Sequence, residues 1–273
     1  MDYNAIVSLV FEARKIALDD SLRSRVDLKG KHDYVTAVDT AISNFIKQGL
    51  MKIEPEAAFV TEEESKHSSA PRRFILDPID GTANLVRGYK KSSISLGYYE
   101  DGKTRFGVVY DPFTGETFFS IENNGAYFYD ASNGIDALLS VGVENYRENQ
   151  LRVSAVSHEN AVVEFGAGST HKEVADLAFG IAKKVFCDCQ DLRRICSTAL
   201  ALCYIAAGRI DGYYERHIKP WDYAAASLIL NEAGGSLSQW NGEPLPFDRT
   251  SSILAGNEDT FRYLSALLKS YAE

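Results

Sequence analysis

The sequence predicts an α+β fold with two unlike halves. Residues 1–150 place a series of antiparallel β-hairpins after two amphipathic helices, whereas residues 151–273 alternate short strands with helices. An antiparallel meander followed by alternating elements indicates two sheet layers with helices between and around them. The sequence has no internal repeat and no low-complexity tract, so we expect a single domain over residues 1–273.

The chain is predicted to begin with two helices and two strands. Apolar residues at helical spacing predict a helix over residues 3–28 and a second helix over residues 37–53, which Pro55 ends. The short apolar run 57–60 predicts a strand. A second strand covers residues 74–76 and ends where the acidic residues begin.

The central part of the chain predicts an antiparallel meander. Asp101-Gly102 separates two β-rich runs, residues 94–99 and 105–110, which is typical of a hairpin. A third run at 117–121 continues the meander. The segment 130–150 is polar and aperiodic and is therefore expected to be a loop or a small insertion.

The second half alternates strand-like and helix-like segments. The strand-like runs are 151–156, 162–165, 212–214 and 252–255, and the helix-like runs are 171–185, 198–208, 221–233 and 258–272. Gly234-Gly235 follows the third of these helices, as expected for a helix C-terminus.

Composition excludes several classes of protein. The 38 Asp and Glu outnumber the 29 Lys and Arg, and the resulting charge of −9 disfavours binding to the phosphate backbone of nucleic acids. No stretch approaches the roughly 20 apolar residues that span a bilayer, so we expect no membrane partner. The N-terminus lacks the features of a signal peptide. The four cysteines and five histidines form no zinc-binding pattern, which favours reduced thiols in a cytoplasmic protein.

The most informative segment is Asp77-Pro78-Ile79-Asp80-Gly81-Thr82. A turn here can direct the carboxylates of Asp77 and Asp80 to one side, and Gly81 lets the backbone approach a ligand closely. Thr82 opens a possible helix whose free N–H groups can hold phosphate. Carboxylates beside an anion site suit Mg²⁺. Taken alone, these residues favour an ordinary turn with a helix N-cap over a metal site.

Three further acidic segments lie at predicted element ends, namely 62–64, 221–223 and 33–39. Each is ordinary in isolation, because charge runs are usually solvated and Asp is favoured in the first turn of a helix. Together with residues 77–80, however, they can converge on one cleft. Converging carboxylates repel and raise one another's pKa unless a cation neutralises them. The four segments together therefore indicate a metal site.

These segments closely resemble the inositol monophosphatase family of Mg²⁺-dependent, lithium-sensitive phosphatases. Residues 77–82 match the family's DPIDGT motif, and residues 221–226 resemble its WDxAAG motif, with Ala226 where Gly is usual. Two more segments are similar to family segments, 208–215 and 232–235. The resemblance implies the layered αβαβα sandwich of the inositol monophosphatase and fructose-1,6-bisphosphatase type, usually as a homodimer.

The resemblance also implies two or three Mg²⁺ ions in each site. Glu62, Asp77 and the Ile79 carbonyl would hold the first ion, and Asp77, Asp80 and Asp222 would hold the second. A third, weaker ion would share Glu62.

Catalytic and substrate-binding residues are implied in the same way. Thr82, paired with Asp39, would position and deprotonate the attacking water, so the implied catalytic residues are Glu62, Asp39 and Thr82. The backbone N–H groups of Gly81 and Thr82 would cradle the phosphate. The residues implied to contact substrate are Ile79, Asp80, Gly81, Thr82, Cys196, Ser197, Thr198, Glu215 and Asp222.

The sequence departs from the family pattern at several of these positions. The alignment favours Glu62 as the metal ligand, but a slip of one residue would give Glu63 that role, which is otherwise a supporting one. Cys196 stands where Gly is usual, Thr198 where Ala is usual, and Ala201 where Asp or Asn is usual. The last three positions lie near the alcohol part of the substrate, so they leave its identity open.

The resemblance implies an enzyme that hydrolyses myo-inositol monophosphate to inositol and phosphate through a metal-activated water. Fructose-1,6-bisphosphate, histidinol phosphate and 3′-phosphoadenosine 5′-phosphate are substrates of related enzymes and stay open. The alternative of another class is a catalytically silent scaffold. Every expected acid is present, which argues against the scaffold.

Overall fold

The computed structural model describes residues 1–30, 33–63, 70–168 and 170–272. In these ranges the helices and two large sheets form five layers in the order helix, sheet, helix, sheet, helix. The predicted α+β layered sandwich is confirmed.

The first layer is made of the N-terminal helices α1 (Tyr3–Glu12), α2 (Arg14–Ala17), α3 (Asp20–Arg23) and α4 (Ala37–Ile53). The single helix predicted over 3–28 is wrong. Asp19 accepts hydrogen bonds from the backbone N–H groups of Ser21 and Leu22, so it caps a new short helix instead of continuing the old one. The predicted second helix is confirmed, and Thr36 and Asp39 form a capping box at its start.

A small hairpin joins these helices. Strand β1 (Val26–Gly30) pairs antiparallel with β2 (Asp33–Thr36) immediately before α4. The hairpin therefore leads directly into the helix whose first turn carries Asp39.

The six-stranded sheet contains the predicted meander. Its strands, in spatial as well as chain order, are β3 (Ala58–Thr61), β4 (Arg72–Asp80), β5 (Ser93–Glu100), β6 (Lys103–Tyr110), β7 (Glu116–Ile121) and β8 (Ala126–Asp130). Strands β3 and β4 are parallel, and all other neighbours are antiparallel.

Strand β4 does not end at Asp77, as the sequence suggested, but continues to Asp80. Its pairing with β5 shifts between Asp77 and Asp80. Pro78 cannot donate to a sheet ladder, and a bulge is one of the few places where a strand accepts proline. The short helix α5 (Thr82–Val86) follows directly.

The segment 130–150, expected to be a loop or a small insertion, contains α6 (Asp136–Val141) and a 3-10 turn (Val143–Asn145), both with buried apolar residues. The strand predicted over residues 151–156 is wrong, because these residues form no strand. The N–H groups of Leu151 and Val153 donate instead to the carbonyls of Ala126 and Ala233.

The second sheet has the strand order β10-β9-β11-β13-β12. Its strands are β9 (Val162–Phe165), β10 (Asp191–Arg193), β11 (Gly212–Ile218), β12 (Ser236–Ser238) and β13 (Ser251–Gly256). The helices of this half are α7 (Ala175–Asp188), α8 (Thr198–Ala206), α9 (Pro220–Glu232) and α10 (Glu258–Leu268), and 3-10 turns cover His158–Asn160, Lys172–Val174 and Lys269–Tyr271. Strands β10 and β12 are only three residues long, too short for a periodic pattern to reveal them.

Helices α8 and α9 lie between the two sheets, and every residue of α8 is buried. Helix α9 packs across β4 to β7 with a run of small residues, Ala224, Ala225 and Ala226, on the buried side. This packing brings the first turns of α8 and α9 to the end of β4. No helix of the described residues is long and apolar enough to cross a membrane.

Candidate functional site

The predicted acids meet where β4 ends between the two sheets. Asp77 and Asp80 lie on the bulged end of β4, Asp39 in the first turn of α4, and Asp222 in the first turn of α9. Glu62 follows β3, the parallel neighbour of β4. Four distant parts of the chain thus contribute carboxylates to one region.

Electrostatics shows how closely these acids interact. Burial raises the pKa of Asp77 well above its ordinary value, and the charges of Glu62, Asp80, Asp222 and Asp39 raise it further. Burial, Asp80 and Glu62 likewise raise the pKa of Asp222. The folded chain therefore holds several like charges together at a cost that a bound cation would remove.

Asp80 is the best-supported acid of the group. It accepts hydrogen bonds from the hydroxyl of Ser197 at 2.6 Å and from the backbone N–H groups of Ala199 at 2.7 Å and Thr198 at 3.2 Å. Burial raises its pKa to about 6, although these hydrogen bonds oppose the shift. The first turn of α8 thus orients Asp80 in the cleft.

Thr82 and Asp39 are in contact. The Thr82 hydroxyl lies 3.2 Å from Asp39 Oδ1 and 3.0 Å from the carbonyl oxygen of Ile79. The other oxygen of Asp39 accepts from both the backbone N–H and the hydroxyl of Thr36. Asp39 is therefore held by its capping box with one oxygen directed to Thr82.

Gly81 makes the sharp turn between β4 and α5. Its φ of 88° lies in the left-handed region, which favours glycine. A Cβ at this position would lie 3.0 Å from the Lys91 carbonyl oxygen and 3.1 Å from that of Cys196. The backbone N–H groups at Gly81 and Thr82 can therefore be presented to a ligand without an intervening side chain.

The residues present suit a hard divalent cation, because oxygen donors predominate and their mutual repulsion is unrelieved. The carboxylate oxygens do not surround one common point, however. Within the ranges that the structure describes, no three His, Cys, Asp or Glu side chains form a group that could hold a metal as they stand. Asp77 Oδ1 accepts from the Ile79 N–H at 3.0 Å and Asp222 Oδ2 accepts from the Lys219 N–H at 2.8 Å, and each carboxylate keeps further lone pairs for a cation.

The departures from the family pattern lie beside this cluster. Cys196 is exposed and has a φ of 64°, in the left-handed region where its usual counterpart, glycine, is favoured. Ser197 and Thr198 begin α8. The Thr198 hydroxyl lies 2.9 Å from the Tyr213 hydroxyl.

Glu215 lies in β11 within electrostatic range of Asp80 and Asp222. Its Oε1 accepts from the backbone N–H of Gly168 at 3.1 Å, and its Oε2 accepts from the Tyr213 hydroxyl at 2.6 Å. Burial raises its pKa. Glu215 thus lies close enough to the acids at the end of β4 to interact with them electrostatically.

Glu164 is a buried acid that the sequence analysis missed. Its side chain is 1% exposed, Oε1 accepts from the Ile195 N–H at 2.7 Å, and burial raises its pKa to about 7. The available signal was an acid inside the apolar run Val162–Phe165, which predicts a buried charge. Glu164 holds the backbone that leads into Cys196 and Ser197.

Two of the histidines lie against each other. His171 and His217 stack with ring centroids 4.2 Å apart, close to the segment that contacts Glu215. His32 and His67 lie outside the described residues.

The family to which the chain belongs follows from comparison with known proteins. The model of the inositol monophosphatase family matches residues 3–272, nearly the whole chain. The chain therefore belongs to the inositol monophosphatase family, which its motifs resemble.

Individual relatives carry two different names. Nus factor SuhB of Pasteurella multocida is 36% identical over 219 residues, covering 79% of this chain and 75% of that protein. Inositol-1-monophosphatase of Rhizobium meliloti is 32% identical over 271 residues, covering 97% and 95%. The crystal structure of the extragenic suppressor protein suhB of Bartonella henselae superposes with a TM-score of 0.83 at 30% identity and covers 98% of both chains.

Proposed function

We propose that this chain is a Mg²⁺-dependent phosphatase that hydrolyses a phosphate monoester, with myo-inositol monophosphate as the first substrate to test. The main support is the electrostatic coupling of Asp77, Asp222, Asp80 and Glu62, which come from three sheet or helix ends and lie in one cleft. A divalent cation would relieve their repulsion and attract a phosphate dianion to them.

The proposed cation ligands are Glu62, Asp77, the Ile79 carbonyl, Asp80 and Asp222. A divalent cation bound here would supply an acidified water and neutralise charge on the phosphate. Asp77 and Asp222 can keep the backbone hydrogen bonds that they accept, because each carboxylate has further lone pairs for a cation.

The chain's own groups would carry the remaining steps. The backbone N–H groups of Gly81 and Thr82 bind the phosphate oxygens. The Thr82 hydroxyl orients the attacking water and takes up the proton that the water releases, while it passes its own proton to Asp39 Oδ1, 3.2 Å away. Glu215 accepts hydrogen bonds from hydroxyl groups of the alcohol part.

Phosphate release tests this proposal. We expect the wild type to release phosphate from myo-inositol 1-phosphate with Mg²⁺ and to stop in EDTA. Asp80→Asn should lower kcat at least about 100-fold, because an uncharged amide replaces a charged oxygen beside the reacting phosphate. The remaining substrates, fructose-1,6-bisphosphate, histidinol phosphate and 3′-phosphoadenosine 5′-phosphate, complete the screen.

The matched control is Asp248→Asn, which changes an exposed acid that forms an ion pair with Arg249. It should retain wild-type activity and melting temperature. Metal-independent turnover, or an Asp80→Asn protein as active as the wild type, would contradict the proposal.

The relatives named Nus factor SuhB favour a second candidate, a Nus factor role. The two functions separate in one experiment, complementation of an Escherichia coli strain that lacks SuhB. Restoration by both the wild type and Asp80→Asn would assign the role to a surface rather than to hydrolysis. Restoration by the wild type alone would tie it to the acidic cleft.

We further propose a cytoplasmic homodimer that is inhibited by lithium. Four free cysteines suit a reducing compartment. Inhibition of phosphate release by Li⁺ tests the lithium sensitivity, and the mass of the protein in solution tests the homodimer.

A further inference from the structure

A chain of hydrogen bonds leads to Glu215 from helix α8. The Tyr213 hydroxyl lies 2.6 Å from Glu215 Oε2 and 2.9 Å from the Thr198 hydroxyl. Tyr213 is 3% exposed and Thr198 is 7% exposed. Tyr213 and Glu215 are two residues apart in β11 and therefore face the same side of the sheet.

The direction of this chain follows from its chemistry. Burial raises the pKa of Tyr213 well above its usual value, so its hydroxyl stays protonated and donates a hydrogen bond to the carboxylate of Glu215. The Tyr213 oxygen can then only accept, which makes the Thr198 hydroxyl the donor. The Thr198 hydroxyl therefore donates its hydrogen bond to the Tyr213 oxygen and cannot donate it to a substrate.

Glu215 is held from a second direction as well. Gly168 donates its backbone N–H to Oε1, and the carboxylate lies over Gly166, where an added Cβ would be 2.2 Å from Oε2. Each carboxylate oxygen has about two acceptor sites, so each can still accept one further hydrogen bond. A substrate with neighbouring hydroxyl groups can supply those two donors.

Thr198 also connects this arrangement to the phosphate end of the cleft. Its backbone N–H donates to Asp80 at 3.2 Å while its hydroxyl bonds Tyr213. One residue thus links Asp80, on the proposed metal side, with Glu215, on the alcohol side. These hydrogen bonds connect the two ends of the site within the protein itself.

We propose that Tyr213 and Thr198 are positioning residues that determine specificity for polyol phosphates by fixing the Glu215 carboxylate. This inference rests on the proposed phosphatase function and deepens it. The substrate class is a phosphate monoester whose alcohol carries at least two neighbouring hydroxyl groups. A monoester whose alcohol has no hydroxyl groups would not bind more tightly because of these hydrogen bonds.

The test compares two substrates, myo-inositol 1-phosphate and p-nitrophenyl phosphate, which has no alcohol hydroxyls. We expect Tyr213→Phe to raise KM for the inositol phosphate about tenfold, with little change in kcat, because one hydrogen bond that orients the carboxylate is lost. The ratio of kcat/KM for the two substrates should fall about tenfold.

Two controls separate positioning from general stability. Tyr214→Phe removes a buried hydroxyl on the opposite face of the same strand, for which the described part of the chain offers no hydrogen-bond partner, and should leave the ratio unchanged. Thr198→Val should lower the ratio and Thr198→Ser should restore it, and both act without removing an aromatic ring.

The outcomes are distinct. A wild type that releases no phosphate from either substrate would overturn the proposed function and this inference together. An active enzyme whose substrate ratio stays the same in Tyr213→Phe and Thr198→Val would overturn only the role of Tyr213 and Thr198. Equal losses on both substrates would also overturn it, because they would show a structural effect.

Discussion

The Thr82 side chain contacts both the end of strand β4 and the first turn of helix α4. Its hydroxyl has a single proton but two acceptors within reach, Asp39 Oδ1 and the Ile79 carbonyl. A water molecule that enters the cleft can therefore donate to Thr82 while the hydroxyl remains anchored. The pair of Asp39 and Thr82 was predictable only through the family motif, because 43 residues separate them.

Thr82→Ala tests this role. We expect kcat to fall about 100-fold with less than a threefold change in KM, because the hydroxyl acts on the water rather than on the bound substrate. Thr82→Ser keeps the hydroxyl and should retain most of the activity. A rise in KM at unchanged kcat would contradict the assignment.

At the scale of elements, the turn after β4 positions the cleft. Gly81 combines a left-handed φ with close contacts to two carbonyl oxygens. Gly102, in the β5–β6 hairpin, has a φ of 87°, but among the described residues no atom lies within 4 Å of an added Cβ. A comparison of alanine substitutions at these two glycines therefore distinguishes the cost of backbone strain from the cost of crowding.

We expect Gly102→Ala to cost about 1 kcal/mol of unfolding free energy, through strain alone, and to leave activity unchanged. Gly81→Ala should cost at least about 1 kcal/mol more and lower kcat/KM more than tenfold, because the Lys91 or Cys196 carbonyl must move. Urea unfolding in EDTA and phosphate release measure the two effects. Equal losses in both variants would show that crowding at Gly81 does not matter.

The sequence predicted elements well wherever a periodic pattern or turn signal was present. Helix α4 and the hairpins of the six-stranded sheet follow the predicted ranges. It failed where a local side chain competes with the pattern, as Asp19 does in the N-terminal segment, and where elements are as short as β10. Glu164 escaped notice because its role depends on a backbone N–H 31 residues away.

At the scale of the whole molecule, folding gathers carboxylates that repel one another. Groups whose pKa is raised in the folded state bind protons that the unfolded chain has released, so stability falls as pH rises through that window. Glu164, with its pKa raised to about 7 from 4.5, adds to this effect between pH 4.5 and 7.

We expect the metal-free protein to lose stability between pH 5 and pH 8 and Glu164→Gln to lose less, by about 2 kcal/mol. Gln keeps an oxygen for the Ile195 N–H but does not titrate. Urea unfolding in EDTA at the two pH values measures the difference. Parallel pH dependences in the two proteins would show that Glu164 is ionised in the folded state.

The convergence of the acids on a divalent cation is tested most directly by calorimetric titration of Mg²⁺ into the wild type and Asp222→Asn at pH 6 and pH 8. Wild-type affinity for Mg²⁺ should be lower at pH 6 than at pH 8, with release of protons on binding, because burial and mutual repulsion raise the pKa of Asp77 and of Asp222 and protons then compete with the cation. Asp222→Asn keeps an acceptor for the Lys219 N–H and should bind Mg²⁺ at least about tenfold more weakly at pH 8. Mg²⁺ affinity that is independent of both pH and Asp222, or no binding at all, would contradict a shared metal site in this cleft.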